Sequence, residues 1–327
     1  MKKRFFAALL AAAMTLSMAA CSDSSTANKN DDTFVIGICQ YAPHPALDAA
    51  TDGFKEKLTE LMEANSKTVE FQEQNANGEA SACGTIANNF VSSKVDLIFT
   101  NATAPLQSAI SATSTIPILG TSVTSFGVAL DDADMGDTTG RNVSGTSDLA
   151  PLDQQAAVLH EWFPDAKKVG ILYTSSEANS QYQADVITPH LEALGYTVEL
   201  YSFSDSNDLA TVATNACQNV DVIYVPTDNT VADNTGIISN IAIPAGVPVI
   251  AGEEGACAGC GVASLSISYN DIGQVTAEMA YDILVNGADI STMPIQYAPT
   301  LTKKYNPTIC EQLKISNIPS GYTAIEE

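Results

Sequence analysis

The chain has 327 residues, of which 45% are apolar, and its 38 acidic residues outnumber 14 basic ones to give a net charge of −24. A surface with this much negative charge repels phosphate backbones and anionic lipid head groups, which excludes nucleic acid as a partner. The length and the apolar content suffice for two lobes of ordinary domain size.

The first 20 residues have the pattern of a secretory signal peptide. Lys2, Lys3 and Arg4 precede an apolar run over residues 5–16, and small residues lead up to Cys21. The run is shorter than the roughly 20 residues that a membrane-spanning helix needs. We therefore expect export and cleavage before Cys21, which leaves 11 basic against 38 acidic residues and a mature net charge near −27.

A cysteine directly after the cleavage point predicts a lipoprotein. A diacylglycerol on the Cys21 thiol and an acyl chain on its amino group would supply the two hydrophobic anchors that stable membrane attachment requires. Residues 21–33, rich in Ser, Asn and Asp, predict a flexible tether. The expected location is outside the cytoplasm, with the folded body held at the cell membrane by lipid alone.

The next segment, residues 34–122, alternates short β-branched apolar runs with longer patterns of helical spacing. The predicted strands cover residues 34–39, 68–74, 97–100 and 117–119, and the predicted helices cover residues 46–63, 79–91 and 104–112. This alternation predicts a parallel sheet with crossover helices on both faces.

After a stretch interpreted as irregular, residues 123–147, the alternation begins again. The predicted strands cover residues 168–173, 197–203, 222–225 and 247–251, and the predicted helices cover residues 152–162, 181–193, 208–216 and 231–242. A further helix is predicted at residues 271–285, and the Pro-containing tail from Met293 is long enough to cross between lobes again.

The predicted fold is therefore α/β, with two doubly wound parallel-sheet lobes joined by a hinge of several chain crossings. The N-terminal lobe is predicted to comprise residues 34–122 and 270–292. The C-terminal lobe is predicted to comprise residues 123–269 and 293–327.

Ligands of open parallel sheets bind beyond the carboxyl ends of the strands, which selects a set of loops as the site. The predicted ligand-binding residues are Gln40, Tyr41, Asn101, Ala102, Thr103, Thr121 and Ser122 in one lobe, and Tyr173, Thr227, Asp228, Asn229 and Glu253 in the other. Residues 101–103 precede a predicted helix whose free N–H groups are suited to a carboxylate, and the hydroxyls at residues 121–122 are expected to contribute hydrogen bonds to it.

The second lobe is predicted to bind the positively charged end of the ligand. Asp228 or Glu253 is expected to accept an ammonium group, and Gln40 and Asn229 are expected to supply orienting hydrogen bonds. The alternative interpretation is that residues such as Thr103 and Asp228 only cap helices. The loop aromatics Tyr41, Phe126 and Tyr173 are candidates to face a flat ring.

No nucleophile turn, phosphate-binding glycine loop or zinc-protease motif is present in the sequence, so no catalytic residue, cofactor or metal is predicted. Besides Cys21 the cysteines are Cys39, Cys83, Cys217, Cys257, Cys260 and Cys310. Six thiols permit fifteen pairings, so no disulfide is assigned. The C-x-x-C pair at 257 and 260 could be redox active or hold zinc, but a local staple or two free thiols is favoured.

Several phrases carry a family resemblance over residues 34–294. The most specific are His44-Pro45-Ala46-Leu47-Asp48 and Pro226-Thr227-Asp228-Asn229-Thr230-Val231, with Gly252-Glu253-Glu254-Gly255 as a further match. They resemble the tryptophan-type substrate-binding lipoproteins of ABC importers, a branch of the periplasmic-binding-protein type I fold. Cys83, Cys257 and Cys260 depart from the family's pattern.

The resemblance implies a receptor that captures a small ligand between closing lobes and delivers it to permease subunits. We expect it to be a monomer and not an enzyme. Aromatic amino acids are the ligands of the better-understood members. The alternatives are a ligand-sensing subunit for a membrane receptor, a binding protein for a nucleoside or sugar, and a thiol oxidoreductase that uses Cys257 and Cys260.

Overall fold

The computed structural model describes residues 32–325, so the predicted signal peptide, Cys21 and most of the predicted tether lie outside the described residues. The strands are β1 Thr33–Gln40, β2 Thr68–Asn75, β3 Leu97–Asn101, β4 Ile118–Thr121, β5 Val143–Ser147, β6 Lys168–Thr174, β7 Thr197–Phe203, β8 Val222–Val225, β9 Val249–Ala251, β10 Ala263–Ile267, β11 Gln296–Tyr297, β12 Leu301–Tyr305 and β13 Thr323–Ala324. Within these described residues, none of the helices is both long and apolar enough to cross a bilayer.

The helices lie between these strands. They are α1 Pro45–Ala64, α2 Ala80–Ser93, α3 Thr103–Ala112, α4 Phe126–Ala129, α5 Leu152–Trp162, α6 Ala178–Ala193, α7 Ser206–Asn219, α8 Asn229–Asp233, α9 Thr235–Ala245, α10 Glu254–Cys260, α11 Tyr269–Leu284 and α12 Pro307–Gln312.

The strands form two sheets of similar topology. The first has the order β2-β1-β3-β4-β5-β11, and the second has the order β7-β6-β8-β9-β10-β12-β13. The central pairings of both sheets are parallel, whereas β12 runs antiparallel to β10. Each sheet reverses its strand order beside its first strand, which is where doubly wound folds bind ligands. The predicted fold class is confirmed.

Packing in the first lobe centres on two helices that approach closely. A side chain on Gly53 of α1 would overlap the carbonyl of Asn270, and one on Gly273 of α11 would overlap the carbonyl of Ala50. The two glycines therefore let the helix backbones touch. Phe54 of α1 stacks on Phe99 of β3 with the ring centroids 3.9 Å apart, so the paired helices cover the first sheet.

The chain passes between the two sheets three times. The first crossing follows β5 and leads to α5, the second lies between β10 and α11, and the third lies between β11 and β12. Helix α11 returns to the first lobe, where it packs against α1, β4 and β5. These three segments form the connection between the lobes.

The predicted lobe boundaries differ from the observed strand pairing. Residues 143–147, interpreted from the sequence as irregular and placed in the C-terminal lobe with residues 123–269, form β5 of the first sheet. Strand β11 also pairs with β5, so the third crossing follows Tyr297 and not Met293. The crossings thus move the boundaries at residues 122 and 292 to about 147 and 297.

The reason is the composition of β5. Its sequence, Val-Ser-Gly-Thr-Ser, lacks the apolar run that marks a buried strand, yet all five residues are buried. A side chain on Gly145 would overlap the carbonyl of Gly120 on the neighbouring strand. The hydroxyl of Thr146 lies 2.9 Å from those of Thr121 and Thr276, so hydroxyl contacts replace apolar packing here.

Candidate functional site

The loops at the carboxyl ends of the two sheets face each other. In the loop between β1 and α1, Nε2 of His44 lies 3.2 Å from Oδ1 of Asn229 at the start of α8. Both residues belong to the phrases that carried the family resemblance. This contact shows that the lobes meet at the edge where the sequence predicted a ligand.

The first lobe presents polar atoms that nothing in the described structure satisfies. The hydroxyls of Thr103 and Ser122 are buried and have no hydrogen-bond partner among the described residues. They are neighbours, because the Ala102 N–H donates to the carbonyl of Thr121 at 3.0 Å. No side chain caps the start of α3, so this corner presents helix N–H groups together with two free hydroxyls.

Ala102 holds this corner in an unusual conformation. Its φ of 100° and ψ of 168° fall in a region that is almost restricted to glycine. Such a backbone costs on the order of 1–3 kcal/mol, and the surrounding packing, which buries Ala102, must offset that cost. The strain lies directly at the start of α3, where the free donors are.

Three other predicted residues of the first lobe are engaged internally. Gln40 donates to the carbonyl of Ala42 and to Asp48 and accepts from Thr51, so both of its amide N–H groups are used. Asn101 donates to the carbonyl of Leu47 and to Thr51, while its Oδ1 is buried without a partner among the described residues, and Thr121 bonds to Thr146. These side chains hold the loops in place, and the ligand-orienting role of Gln40 stays a prediction.

Asp228 has the capping role that the sequence left as an alternative. Its carboxylate accepts hydrogen bonds from the Thr174 N–H at 2.6 Å, the Thr174 hydroxyl at 2.9 Å and the Val231 N–H at 2.9 Å. Burial, and secondarily the charge of Glu177, raises the pKa of Asp228 to about 7. The residue joins the loop after β6 to the start of α8.

Glu253 begins α10 and is also buried. Its carboxylate accepts the N–H groups of Gly255 and Ala256. Burial raises its pKa to about 7, and the nearby Asp148 adds to the shift. Glu253 thus lies within electrostatic reach of a second buried carboxyl.

Asp148 was not predicted from the sequence. It follows β5, is 4% exposed, and accepts hydrogen bonds from the Thr124 hydroxyl at 3.1 Å and the Tyr269 hydroxyl at 3.0 Å. Burial raises its pKa to about 6. The ion pairs found among residues 32–325 involve neither Asp148, Asp228 nor Glu253, so these buried carboxyls lack a cationic partner in the described chain.

Glu177 is a second residue that was not predicted from the sequence, although it lies in the loop that follows β6, close to the predicted residue Tyr173. Its carboxylate accepts the N–H groups of Asn229 and Thr230, the Asn229 amide at 2.6 Å and the Thr230 hydroxyl at 2.7 Å. It caps α8 from outside the helix. The signal that could have found it is its position at the end of a predicted strand.

The three predicted aromatics are buried, and Tyr173 packs in the core of the second lobe. Burial, and next the charge of Glu177, raises the pKa of Tyr41, and the hydroxyl of Tyr173 donates to Gln181 at 3.1 Å. One cavity of about 320 Å³ includes Tyr41 and Asn229, and another of about 290 Å³ includes Phe126 and Tyr182. Both cavities are lined by residues of both lobes.

The C-x-x-C pair is buried on α10. The thiol of Cys257 donates to the carbonyl of Gly261 at 3.7 Å, and that of Cys260 donates to the carbonyl of Ala256 at 3.3 Å. Burial raises the pKa of Cys260 to about 12. All six cysteines of the described chain carry free thiols, which matches the interpretation of two free thiols at this motif.

The comparisons with known proteins agree on one class. Residues 35–319 match the family described as ABC transporter substrate binding protein. A tyrosine-binding protein of Clostridioides difficile is 33% identical over 282 residues, which covers 84% of this chain and 80% of that protein. The resemblance stated from the sequence is confirmed.

Two solved structures give the same result. The ABC domain from Streptococcus pneumoniae in complex with L-Trp has a TM-score of 0.82 at 29% identity, covering 89% of this chain and all of that one. The ligand-free, open structure of a Clostridium difficile substrate-binding protein with adhesive properties has a TM-score of 0.67 at 34% identity, covering 90% and 99%. The described lobes are thus arranged more like the tryptophan complex, in line with the contact between His44 and Asn229.

These relatives are substrate-binding proteins and not enzymes, and proteins of this class work outside the cytoplasm with the permease of an ABC transporter. The family match covers most of the chain, and the two-lobed fold and the facing loops agree with it. The chain therefore belongs to the ABC transporter substrate-binding protein family.

Proposed function

We propose that this chain captures an aromatic amino acid, tyrosine or tryptophan, and delivers it as a monomer to the permease subunits of an importer. It does so outside the cytoplasm, anchored to the membrane through a lipid on Cys21, and without catalysis or a cofactor. The names of its relatives support the cargo. The observation that carries the proposal is a pair of buried, unpartnered hydroxyls at Thr103 and Ser122 together with the buried carboxyls of Asp148 and Glu253, which have no cationic partner among the described residues.

The carboxylate of the amino acid binds at the start of α3. The hydroxyls of Thr103 and Ser122 are both buried and unpartnered in the described chain, and no side chain caps the first N–H groups of α3. An anion there gains hydrogen bonds from donors that are otherwise unmade, and the helix dipole adds to the attraction.

The ammonium group binds between Asp148 and Glu253. Among the described residues, Asp148 accepts hydrogen bonds from two hydroxyls and Glu253 from two N–H groups, whereas Asp228 accepts three hydrogen bonds that hold its own loop together. A cation between two ionised carboxylates offsets the cost of burying both charges. Asp228 supports the site by fixing the loop that contains Thr227 and Asn229.

The aromatic side chain lies among Tyr41, Phe126 and Tyr173. All three rings are buried, Tyr41 and Phe126 each line a cavity between the lobes, and aromatic rings can stack on a flat ligand ring. Closing the lobes over the ligand shifts the equilibrium between open and closed states, because only the closed state contacts it from both sides.

Isothermal titration of the mature protein tests the proposal. L-Tyrosine and L-tryptophan are titrated beside tyramine, which lacks the carboxylate, and 3-(4-hydroxyphenyl)propionate, which lacks the ammonium group. We expect binding of the amino acids and a loss of at least about tenfold in affinity for each analogue. If an analogue binds as tightly as the amino acids, the assignment of the group that it lacks is wrong. If ribose or a nucleoside binds and the amino acids do not, the proposed ligand class is wrong.

A further inference from the structure

The two phrases that are most specific to this family meet across the cleft. His44 belongs to the loop between β1 and α1 of the first lobe, and Asn229 belongs to the first turn of α8 in the second lobe. Nε2 of His44 lies 3.2 Å from Oδ1 of Asn229, and His44 is only 5% exposed. The ligand groups assigned above use neither side chain, so their contact needs a separate explanation.

The partners of Asn229 fix which atom donates. Nδ2 of Asn229 donates to Oε2 of Glu177 at 2.6 Å, which leaves Oδ1 as the atom that faces His44. Since an amide oxygen only accepts, Nε2 of His44 must carry the proton. Nδ1 of His44 is buried without a partner in the described chain, and burial lowers the pKa of the ring, so the neutral ring is the form that fits.

Both ends of this contact are held rigidly within their own lobes. Glu177 accepts the N–H of Asn229 at 3.2 Å as well as its side-chain amide. On the other side, the carbonyl of His44 accepts the N–H of Asp48 at 3.0 Å, and Gln40 donates to the Asp48 carboxylate at 2.6 Å. The side chain of Asn229 and the backbone of His44 are therefore already ordered when the lobes meet, which lowers the entropic cost of the contact.

We propose that His44 and Asn229 form a latch between the lobes, and that Glu177 is the residue that positions its second half. The latch forms only when the lobes close, so it stabilises the closed state and slows the escape of the ligand. It deepens the proposed function, since a bound ligand is what closure retains. The formation of the open encounter complex does not involve it.

The test is a double-mutant cycle on the rate of ligand dissociation, measured by stopped flow with L-tyrosine and L-tryptophan. His44→Ala and Asn229→Ala each remove the contact, and we expect dissociation to accelerate about three- to tenfold while the association rate changes less than about twofold. The double variant is expected to dissociate no faster than the faster single variant, because both changes remove one interaction.

Two further variants separate the latch from a general loss of structure. Asn234→Ala is the matched control, since Asn234 lines the same cavity but bonds only to the carbonyl of Thr230 in its own lobe. It is expected to leave the dissociation rate unchanged. His44→Gln keeps an amide donor and is expected to recover part of the slow dissociation, and Glu177→Gln is expected to resemble Asn229→Ala.

The outcomes also distinguish the latch from the cargo. Unchanged dissociation in both alanine variants, or effects that simply multiply in the double variant, would overturn the latch. If neither amino acid binds, the cargo proposal fails. The latch is then tested by measuring the distance between spin labels on the two lobes, which reports the closed population. A closed population that disappears in His44→Ala and Asn229→Ala supports it, and a wild-type protein without any closed population overturns it.

Discussion

The hydroxyl of Tyr269 donates to the carboxylate of Asp148 at 3.0 Å, and this hydrogen bond joins the first hinge crossing to the second. Asp148 directly follows β5, and Tyr269 is the first residue of α11. Tyr269→Phe removes the donor and leaves the buried carboxyl with the Thr124 hydroxyl alone. We expect the free energy of unfolding to fall by about 1–2 kcal/mol in urea titrations, because a buried acceptor loses its partner.

The same variant is expected to raise the pKa of Asp148 above about 6, since the Tyr269 hydroxyl lowers it now. Tyr297→Phe is the control, because Tyr297 is 64% exposed. It is expected to unfold like the wild type, and a similar loss of stability in both variants would contradict a specific role of the hinge hydrogen bond.

The buried carboxyls are expected to separate into two roles. Asp148→Asn and Glu253→Gln keep the shape of each side chain but remove a charge, and each is expected to weaken amino-acid binding by about 2–5 kcal/mol in calorimetric titration. Asp228→Asn is expected to act mainly on folding, with a loss of about 1–3 kcal/mol in stability, because Asp228 holds Thr174 and Val231. A reversed pattern would assign the ammonium group to Asp228.

Binding is expected to release protons near neutral pH. Burial raises the pKa of Asp148 to about 6 and that of Glu253 to about 7, and an ammonium ligand favours their ionised forms. Affinity should therefore rise between about pH 5.5 and 7.5, and calorimetry in buffers of different ionisation enthalpy should report the released protons. Titration without proton release would contradict this assignment.

Without ligand the same groups affect stability in the opposite direction. Because their folded pKa values lie above the ordinary ones, their contribution to stability is fully present below about pH 4 and is lost as the pH rises through 6 to 7. The melting temperature of the ligand-free protein should fall over that range. The double variant Asp148→Asn, Glu253→Gln separates this effect from the general repulsion of a chain with a net charge of −24.

Ala102→Gly is expected to relieve the strained backbone at the start of α3. Glycine adopts a φ of 100° without the steric cost that alanine has, so the free energy of unfolding should stay constant or rise by about 1 kcal/mol. Ala104→Gly, two residues further within the helix, is the control and should cost about 1 kcal/mol. Equal losses at both positions in urea titrations would show that residue 102 carries no strain.

Thiol labelling of the folded protein tests the rival oxidoreductase function. Cys217 is half-buried, whereas Cys257 and Cys260 are buried with their pKa values raised by burial, to about 12 for Cys260. Iodoacetamide at pH 7.5 should therefore modify Cys217 first and the C-x-x-C pair only after unfolding. Rapid modification of Cys257 in the folded protein would revive the redox interpretation.

The alternation of strands and helices predicted most of the fold because apolar periodicity is a strong local signal. The predicted strand at residues 168–173 is observed as Lys168–Thr174, and the predicted helix at residues 271–285 is observed as Tyr269–Leu284. Strand β5 was not predicted because its burial depends on small residues and on contacts with distant strands. Asp148 was not predicted for the same reason, since a residue counts as a strand-end candidate only when its strand is recognised.

The sequence selected candidate loops for the site, but it could not show which of their side chains are free. The chosen loops do meet, and Thr103 and Ser122 have the free hydroxyls that the sequence suggested. However, which side chains are already engaged depends on tertiary contacts, as the bonds from Gln40 to Ala42 and Asp48 show. Local sequence indicates that a residue can donate or accept, but not whether a neighbour has already taken that capacity.

The three crossings between the sheets limit how the lobes can move. A single connecting segment would permit bending, twisting and sliding, whereas three segments, which start or end at the adjacent strands β5 and β11 of one sheet and β10 and β12 of the other, must all change direction together. The motion that satisfies all three is rotation about one axis through the crossings near Asp148, Ser268 and Ala298. Each closure of the lobes therefore follows the same path, and the same residues of the two lobes come into contact each time.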